Sequence, residues 1–216
     1  MTQFEKTFHF MKKPWVIALY VVLVVLVYHF IDMPLATYFY QHDVRTNFHV
    51  LNKLTLLGKW FIYAFVLASV ALFFRFIKHN TVYEARAWYL FFCVCVANLV
   101  CLVLKVALSR ARPDLMFSQA EFGFYWLKLN KFYWSFPSGH TTTVVSLAAG
   151  LGIVFPRYFY AVLVLAFVVV ATRVLLYHHY LSDVMTAFYI SILVVGFLTQ
   201  YLKKNHWFFK KGFIAS

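Results

Sequence analysis

The stretch from Thr172 to Asp183 carries the side chains most able to do chemistry, and it lies between two long apolar runs. His179 and Asp183 stand four residues apart. If the preceding helix continues through them, they share one face, and the carboxylate holds the imidazole in one tautomer. Such an imidazole is an activated nucleophile or base. Arg173, six residues before His179, offers a planar fork of donors to an anion under attack. The pattern predicts chemistry on a phosphate.

A second basic cluster lies at the end of an earlier apolar run. Lys105, Arg110 and Arg112 fall within eight residues and are followed by Pro113, which cannot continue a helix. Snorkelling of these side chains to a membrane interface is the alternative explanation, most of all for Lys105. A cationic group where a helix ends is also what a phosphate site needs.

The third cluster, Ser135-Phe-Pro-Ser-Gly-His-Thr141, directly precedes another apolar run. A proline and small residues before a helix start predict a nest, in which backbone N–H groups and the helix N-terminus converge on an anion. Ser138 adds a hydroxyl, Gly139 allows close approach, and His140 stands at the helix entrance. A capping role is the alternative for His140, but a third polar cluster at a helix boundary favours function.

Composition places the chain in a bilayer. Its 216 residues are 63% hydrophobic and 12% charged, against about 25% charged in soluble domains. Four charge-free runs of at least eighteen residues can each cross the hydrocarbon core, and two runs of fifteen can do so with snorkelling ends. These runs follow Lys13, Arg86, Lys131 and Asp183, with the shorter two at residues 60–74 and 158–172. We expect an all-α, polytopic bundle of six transmembrane helices.

The net charge of the chain is +13. The Lys and Arg residues that produce it flank the apolar runs, which argues against a nucleic-acid partner. Placing both termini in the cytoplasm puts eleven basic residues inside and, apart from three claimed by the site, six outside. The inside set is Lys6, Lys12, Lys13, Arg75, Lys78, Arg86, Arg157, Lys203, Lys204, Lys210 and Lys211. This topology makes residues 1–13 a cytoplasmic interfacial segment and residues 203–216 a cytoplasmic tail. All three polar clusters then reach the outer surface.

The connecting segments carry fewer signals. The first helix is expected to be retained rather than cleaved as a signal peptide. It leads into a loop of some twenty-seven residues in which Asp32, His42, Asp43 and His49 are expected to be solvated. Residues 115–134 contain eight aromatic side chains, which predict an interfacial belt and leave open whether this loop gates substrate entry. The three cysteines, Cys93, Cys95 and Cys101, share one apolar run without metal-ligand spacing and are expected to be inert packing residues.

Together the clusters match a family signature. Lys105, six residues, Arg112-Pro113, then Pro137-Ser138-Gly139-His140, then Arg173, five residues, His179, three residues and Asp183 resembles the type 2 phosphatidic acid phosphatase family. That superfamily also includes the vanadium haloperoxidases. The resemblance implies a single membrane domain over residues 1–216.

The resemblance also implies roles. His179 resembles the nucleophile that forms a phosphohistidine, Asp183 the residue that orients it, and His140 the general acid. The residues that resemble the family's phosphate-binding groups are Lys105, Arg112, Ser138, the Gly139 backbone amide and Arg173. No metal and no cofactor is implied. Thr172 departs from the serine more usual before the arginine, and His178 is an additional imidazole without the matching spacing.

The expected function is therefore hydrolysis of a membrane lipid phosphate at the outer face of a bacterial inner membrane. Candidate substrates are undecaprenyl diphosphate, lipid A phosphates and phosphatidylglycerol phosphate. Arg110, Lys128 and Lys131 are expected to engage a second phosphate, which favours a substrate with two. An anion or lipid-phosphate transporter is the alternative from another class, and a haloperoxidase is a third. The oligomeric state is left open.

Overall fold

The computed structural model of the chain describes residues 1–209 and 212–214. In this part the chain folds into helices, with one isolated β-bridge between Arg110 and Phe124. The α-helices are α1 (Gln3–Met11), α2 (Pro14–Phe30), α3 (Asp32–Gln41), α4 (Val44–Asn47), α5 (His49–Leu54), α6 (Trp60–Phe76), α7 (Thr81–Leu108), α8 (Pro113–Gln119), α9 (Gly139–Val154), α10 (Phe159–Leu175) and α11 (Leu181–Lys204). Short 3₁₀ turns cover Thr55–Gly58, Lys131–Tyr133 and Pro156–Tyr158. The predicted all-α class is confirmed.

Three helical segments are long and apolar enough to cross a membrane: α7, α11, and α10 with the turn before it. Among the described residues the number rises to five if two bent pairs each count as one span, α1 with α2 and the α5 segment with α6. The helix expected as the fourth span, α9, has 16 residues and is apolar but shorter than the others. A membrane bundle is therefore supported, while six spans and their orientation stay predictions.

Helix α9 lies at the centre of the bundle and contacts α7, α10 and α11. Twelve of its residues are buried, most of them small. A Cβ on Gly150 would lie 2.9 Å from Leu90 of α7, and one on Gly152 would lie 2.4 Å from Phe159 of α10. Small residues on α9 thus let neighbouring helices approach closely, as in other membrane helix interfaces. This close packing places the N-terminus of α9 among the elements that form the site.

Helix α1, in the segment expected to be cytoplasmic and interfacial, packs into the bundle. Phe4 and Phe8 of α1 are fully buried. A Cβ on Gly196 of α11 would overlap the Phe8 ring, so the glycine makes room for it. Glu5 also pairs with Lys203 at the far end of α11. Helix α1 therefore closes one end of the bundle.

The segment between α2 and α6 is helical, so the expected loop of some twenty-seven residues is wrong. It forms α3, α4, α5 and the turn Thr55–Gly58. Asp32 at the start of α3 is 1% exposed, which corrects its assignment as a solvated loop residue; His42, Asp43 and His49 are exposed as expected. This helical segment lies against α9 and α10 and brings Arg45 and Thr55 to the site.

Two smaller expectations have mixed outcomes. Helix α7 ends at Leu108, before Pro113, because Ser109 adopts a left-handed conformation with φ of 46°. Pro113 is instead the first residue of α8, where its missing N–H costs nothing. The three cysteines are free, with Cys93 and Cys101 buried, as packing residues would be. Lys210 and Lys211 of the expected tail lie outside the described residues.

Candidate active site

His179 lies in the turn between α10 and α11. We expected this segment to continue the preceding helix, but it is not helical. Helix α10 ends at Leu175 and α11 begins at Leu181, with Tyr177 between them at φ of 42°. The backbone N–H groups of His178 and His179 both donate to the carbonyl of Arg173. Asp183 still reaches His179, because it lies in the first turn of α11 and accepts the Tyr180 N–H at 2.9 Å. The expected proximity of His179 and Asp183 is therefore present, but a turn and not a continuous helix brings them together.

His179 is 2% exposed, and one ring nitrogen faces two acceptors. Its Nδ1 lies 3.6 Å from Asp183 Oδ2 and 3.5 Å from the Ser135 hydroxyl oxygen. Ser135 donates its own proton to Asp183 Oδ2 at 2.6 Å, so its oxygen can accept from the imidazole. These neighbours assign the proton of the neutral ring to Nδ1. The Nε2 lone pair is then available as a nucleophile.

The surroundings of His179 keep this ring neutral. Burial lowers the pKa of His179 well below its ordinary value, and although the contact with Asp183 opposes that shift, the positive charges of Arg112, Arg173 and Lys105 add to it. The imidazole is therefore unprotonated at neutral pH, as a nitrogen nucleophile must be. The same electrostatics show that cations from three separate segments converge on it.

Lys105, Arg112 and Arg173 bind only neutral oxygens. Lys105 Nζ donates to the carbonyls of Trp134 and Pro137 at 2.8 and 2.6 Å. Arg112 donates to the Lys131 carbonyl at 3.1 Å, and Arg173 to the Thr55 hydroxyl. In residues 1–209 and 212–214 none of the three makes an ion pair with a carboxylate.

Arg173 lacks a carboxylate partner and also lacks a partner for one of its N–H donors among the described residues. The residue is 5% exposed, and its buried Nε, like that of Arg110, has no hydrogen-bond partner among the described residues. A buried donor without a partner is costly, and three cations without counterions repel one another. An anion with several oxygens, such as phosphate, would satisfy both needs. The arrangement can therefore bind an anion next to His179.

The N-terminus of α9 forms as the sequence predicts. Ser138 is the N-cap, and its hydroxyl oxygen lies 3.0 Å from the Thr141 hydroxyl and 3.5 Å from the Thr141 N–H. The Ser138 N–H donates to the Asp183 carbonyl at 3.2 Å, which ties this turn to α11. Gly139 begins the helix beside Lys105, where a Cβ would lie 3.5 Å from the lysine Cε. The start of α9 thus lies beside Lys105, one of the three cations without a carboxylate partner among the described residues.

His140 is half-buried at this helix start and lies within electrostatic range of Arg173, Arg112 and Lys105. Its ring contacts Gly58, where a Cβ would lie only 2.3 Å from His140 Cδ2. The glycine therefore leaves space for the imidazole beside the anion site. The structure brings His140 to the same site as His179, while its role as an acid stays a prediction.

His178 faces a different neighbour. Its Nδ1 lies 3.2 Å from a guanidinium nitrogen of Arg45, which also donates to the carbonyls of Leu176 and Tyr177. Burial, together with the charges of Arg173 and Arg45, lowers the pKa of His178 to about 2. The two adjacent imidazoles are thus separated by the turn, and His179 is the one beside Asp183.

For several residues of the site no role was predicted from the sequence. Arg45 also pairs with Asp114 at 2.8 Å, Thr55 binds Arg173, and Ser135 lies between His179 and Asp183. Thr55 and Arg45 belong to the segment expected to be a loop. Ser135 stands next to a recognised motif, and its position two residues before the proline is the one hint available.

Arg110 is the clearest correction. It was expected to engage a second phosphate, but it is fully buried and pairs with Asp32 at 2.8 Å and Asp183 at 2.6 Å. Both its terminal nitrogens are therefore occupied by carboxylates. Lys128 and Lys131 are exposed, and their role with a second phosphate stays a prediction.

The described residues contain no cluster of three or more His, Cys, Asp or Glu side chains able to hold a metal ion. The donor set around His179 is cationic instead, which suits an anion and repels a metal cation. Metal independence of the reaction remains a prediction.

Comparison with known proteins agrees with the geometry. Residues 86–207, more than half of the chain, match the PAP2 superfamily, and this range contains all three polar clusters. Proteins named Lipid A 1-phosphatase from Rhizobium johnstonii and Rhizobium etli are 42% and 41% identical to this chain over 96 residues. The similarity covers 44% of this chain and only 39% and 41% of those relatives. No solved structure matches the chain.

Proposed function

We propose, from the premise that this chain belongs to the PAP2 superfamily, that it is an integral-membrane phosphatase acting on a membrane lipid. The observation that carries the proposal is the anion site: Lys105, Arg112 and Arg173 bind only neutral oxygens around a buried, neutral His179. A phosphate seated among these cations supplies the missing negative charge and presents its phosphorus to the imidazole.

In the first step, His179 Nε2 attacks phosphorus as the bond to the lipid oxygen breaks. The product is a phosphohistidine. His140 donates a proton to the departing oxygen, and the negative charge of the bound phosphate favours the protonated form of His140 that this step needs. Asp183 and Ser135, both close to Nδ1, stabilise the positive charge that develops on the ring. In the second step His140 removes a proton from water, which attacks the phosphohistidine and releases inorganic phosphate.

The cations supply most of the transition-state stabilisation. Charge on the phosphoryl oxygens redistributes during transfer, and bonds to carbonyl and hydroxyl partners hold Lys105, Arg112 and Arg173 in place before a substrate binds. Ser138 and the Gly139 amide contribute donors at the start of α9. Loss of one such preorganised donor costs about 10²- to 10³-fold in rate in comparable sites.

Lipid A bearing a 1-phosphate is the favoured substrate, because the named relatives act on it. Undecaprenyl diphosphate and phosphatidylglycerol phosphate offer the same phosphate chemistry and remain candidates. The protein lies in a bacterial inner membrane with both termini cytoplasmic and the site at the periplasmic face. The excess of basic residues at one side of the apolar runs supports this orientation.

The test is phosphate release by purified protein in detergent from these three lipids, with chelator present and with His179→Ala as the control. We expect release from at least one lipid, unchanged by EDTA and absent in the variant. Activity lost on chelation and restored by magnesium would contradict the proposed chemistry. Passage of phosphate across reconstituted vesicles without hydrolysis would support the transporter instead.

A further inference from the structure

We propose that Asp32 and Arg110 are positioning residues, which form a buried ionic triad with Asp183 and thereby orient the nucleophile His179. The inference rests on the proposed function and extends it to two residues that the family signature does not include. Asp32 lies 147 residues before His179 in the chain.

The triad is linked by direct contacts. Arg110 donates from one terminal nitrogen to Asp183 Oδ1 at 2.6 Å and from the other to Asp32 Oδ2 at 2.8 Å. Ser182 joins the same group, because its N–H donates to Asp32 Oδ1 at 3.0 Å and its hydroxyl contacts Asp32 and Arg110. All three charged side chains are fully buried. Asp32 therefore holds α3 to the start of α11.

Aromatic rings fix the Arg110 guanidinium from several sides. Tyr180 and Tyr28 lie 4.2 and 4.7 Å from it, and Phe122 and Phe124 lie 5.3 and 5.6 Å away. The backbone beside Arg110 is held as well, since the Ala111 N–H donates to the Gly123 carbonyl and the Tyr125 N–H donates to the Ser109 carbonyl. A guanidinium fixed in this way positions the carboxylate it binds.

Asp183 divides its two oxygens between the triad and the nucleophile. Oδ1 accepts from Arg110, whereas Oδ2 accepts from Ser135 and the Tyr180 N–H and faces His179. Arg110 therefore sets the rotation of the carboxylate that His179 meets. Groups that bind a functional residue in this way orient it as effectively as its own contacts do.

The charges of the triad also suit the reaction. Two carboxylates and one guanidinium carry a net charge of −1 when ionised, and this charge lies next to the ring that becomes positive in the phosphohistidine. Without Asp32, Arg110 would neutralise Asp183, and the ring's developing charge would have no net counterion. A fully buried ion pair is weak evidence of a stabilising role, so orientation and charge balance are the better explanation for this one.

The direct test is Asp32→Asn, with Asp43→Asn as a matched control. Asp43 is exposed in the turn after α3, and asparagine tolerates its left-handed conformation. For Asp32→Asn we expect kcat to fall by about 10- to 100-fold, the range typical of losing such a supporting contact. KM and the inhibition constant for inorganic phosphate should stay within about twofold, because the phosphate-binding cations are untouched. The control should match the wild type.

Arg110→Lys provides the second variant, since lysine keeps the charge but cannot reach both carboxylates with a fork. It should show the same loss in kcat with unchanged phosphate inhibition. Wild-type kcat in either folded variant would overturn the proposal. A rise in the phosphate inhibition constant as large as the fall in kcat would assign both residues to binding and also overturn it. Failure of both variants to fold would show a purely structural role.

Nitrogen NMR of labelled histidine separates this inference from the proposed function, because it needs no turnover. The His179 signals are assigned by their absence in His179→Ala. In the wild type we expect the Nδ1–H tautomer, and in Asp32→Asn a mixture of tautomers. Identical tautomer populations would overturn the triad's role. A tautomer change in a protein that releases no phosphate would leave the triad supported and the phosphatase function rejected.

Discussion

Arg110 and Arg112 stand two residues apart in the chain and have opposite electrostatic surroundings. Arg110 is enclosed by aromatic rings and paired with two carboxylates, while Arg112 donates to a backbone carbonyl. Within the part of the chain that the structure describes, Lys105 and Arg173 resemble Arg112 in binding only neutral oxygens. Burial alone does not separate the two groups, because Arg173 is also buried. The partner distinguishes them: a carboxylate saturates a cation, whereas a neutral oxygen leaves its charge available to a ligand.

His179 lies where the two groups meet. Asp183, which Arg110 binds, contacts Nδ1 of the ring, and the charges of Arg112, Arg173 and Lys105 also act on the ring. Under the proposed function the contrast has a chemical meaning: one group would orient the nucleophile and the other would hold the phosphate. Each of the following predictions tests one part of this division.

The largest effect is expected at the nucleophile itself. His179→Ala should lower kcat by more than about 10³-fold, because removing a nucleophile abolishes the covalent route. His178→Ala should stay within about tenfold, because its ring contacts Arg45 instead of Asp183. The measurement is phosphate release from the lipid substrate by each folded variant. If His178→Ala abolished phosphate release and His179→Ala were mild, the assignment of His179 as the nucleophile would be wrong.

The next prediction concerns His140, which lies among the unsaturated cations. A lipid alkoxide needs a proton on leaving, worth about 10²- to 10⁴-fold, and a nitrophenolate needs little help. His140→Ala should therefore slow lipid hydrolysis far more than the burst of phosphohistidine formation from nitrophenyl phosphate in rapid-quench experiments. Equal losses with both substrates would make His140 one more phosphate-binding group.

The contrast between the two arginines should also appear in stability. Arg110→Met leaves two buried carboxylates without a cation, which costs about 3–5 kcal/mol in the free energy of unfolding. Arg112→Met removes a cation with no carboxylate partner and should cost less than about 1 kcal/mol. Denaturation in detergent micelles measures both. Equal destabilisation would mean that ion pairing does not distinguish the two groups.

The smallest effect is expected from converting an unsaturated cation into a saturated one. Thr55→Asp places a carboxylate where Arg173 has a hydroxyl partner, so it should compete with phosphate and raise its inhibition constant by about tenfold, equivalent to about 1.4 kcal/mol. Thr55→Ser keeps the hydroxyl and is the control. Unchanged phosphate inhibition in Thr55→Asp would show that Arg173 does not contact the anion.

Much of the site was predictable because its motifs are local. The start of α9 at Gly139, with Ser138 as its cap, follows from residue types a few positions apart. The proximity of His179 to Asp183 was also predicted, but for the wrong reason, since a turn rather than a helix joins them. Short spacing constrains distance in several backbone conformations, so a correct contact can follow from an incorrect local structure.

Other features were not accessible in this way. The expected solvated loop is a set of short helices, and two of its polar residues bind partners far along the chain. Asp32 binds Arg110 and Ser182, and Thr55 binds Arg173. Nothing in the types or spacing of Asp32 and Asp43 distinguishes the buried residue from the exposed one.

The sequence by itself determined the helical membrane class, the three polar clusters and the side chains able to act on a phosphate. These follow from hydropathy over a span and from spacings of a few residues, which local geometry constrains. Only the tertiary structure decided which cations are saturated and which are free. That distinction depends on carboxylates from distant helices, and whether Asp32 meets Arg110 or Arg112 is set by how α3 and α11 pack against the segment between α7 and α8.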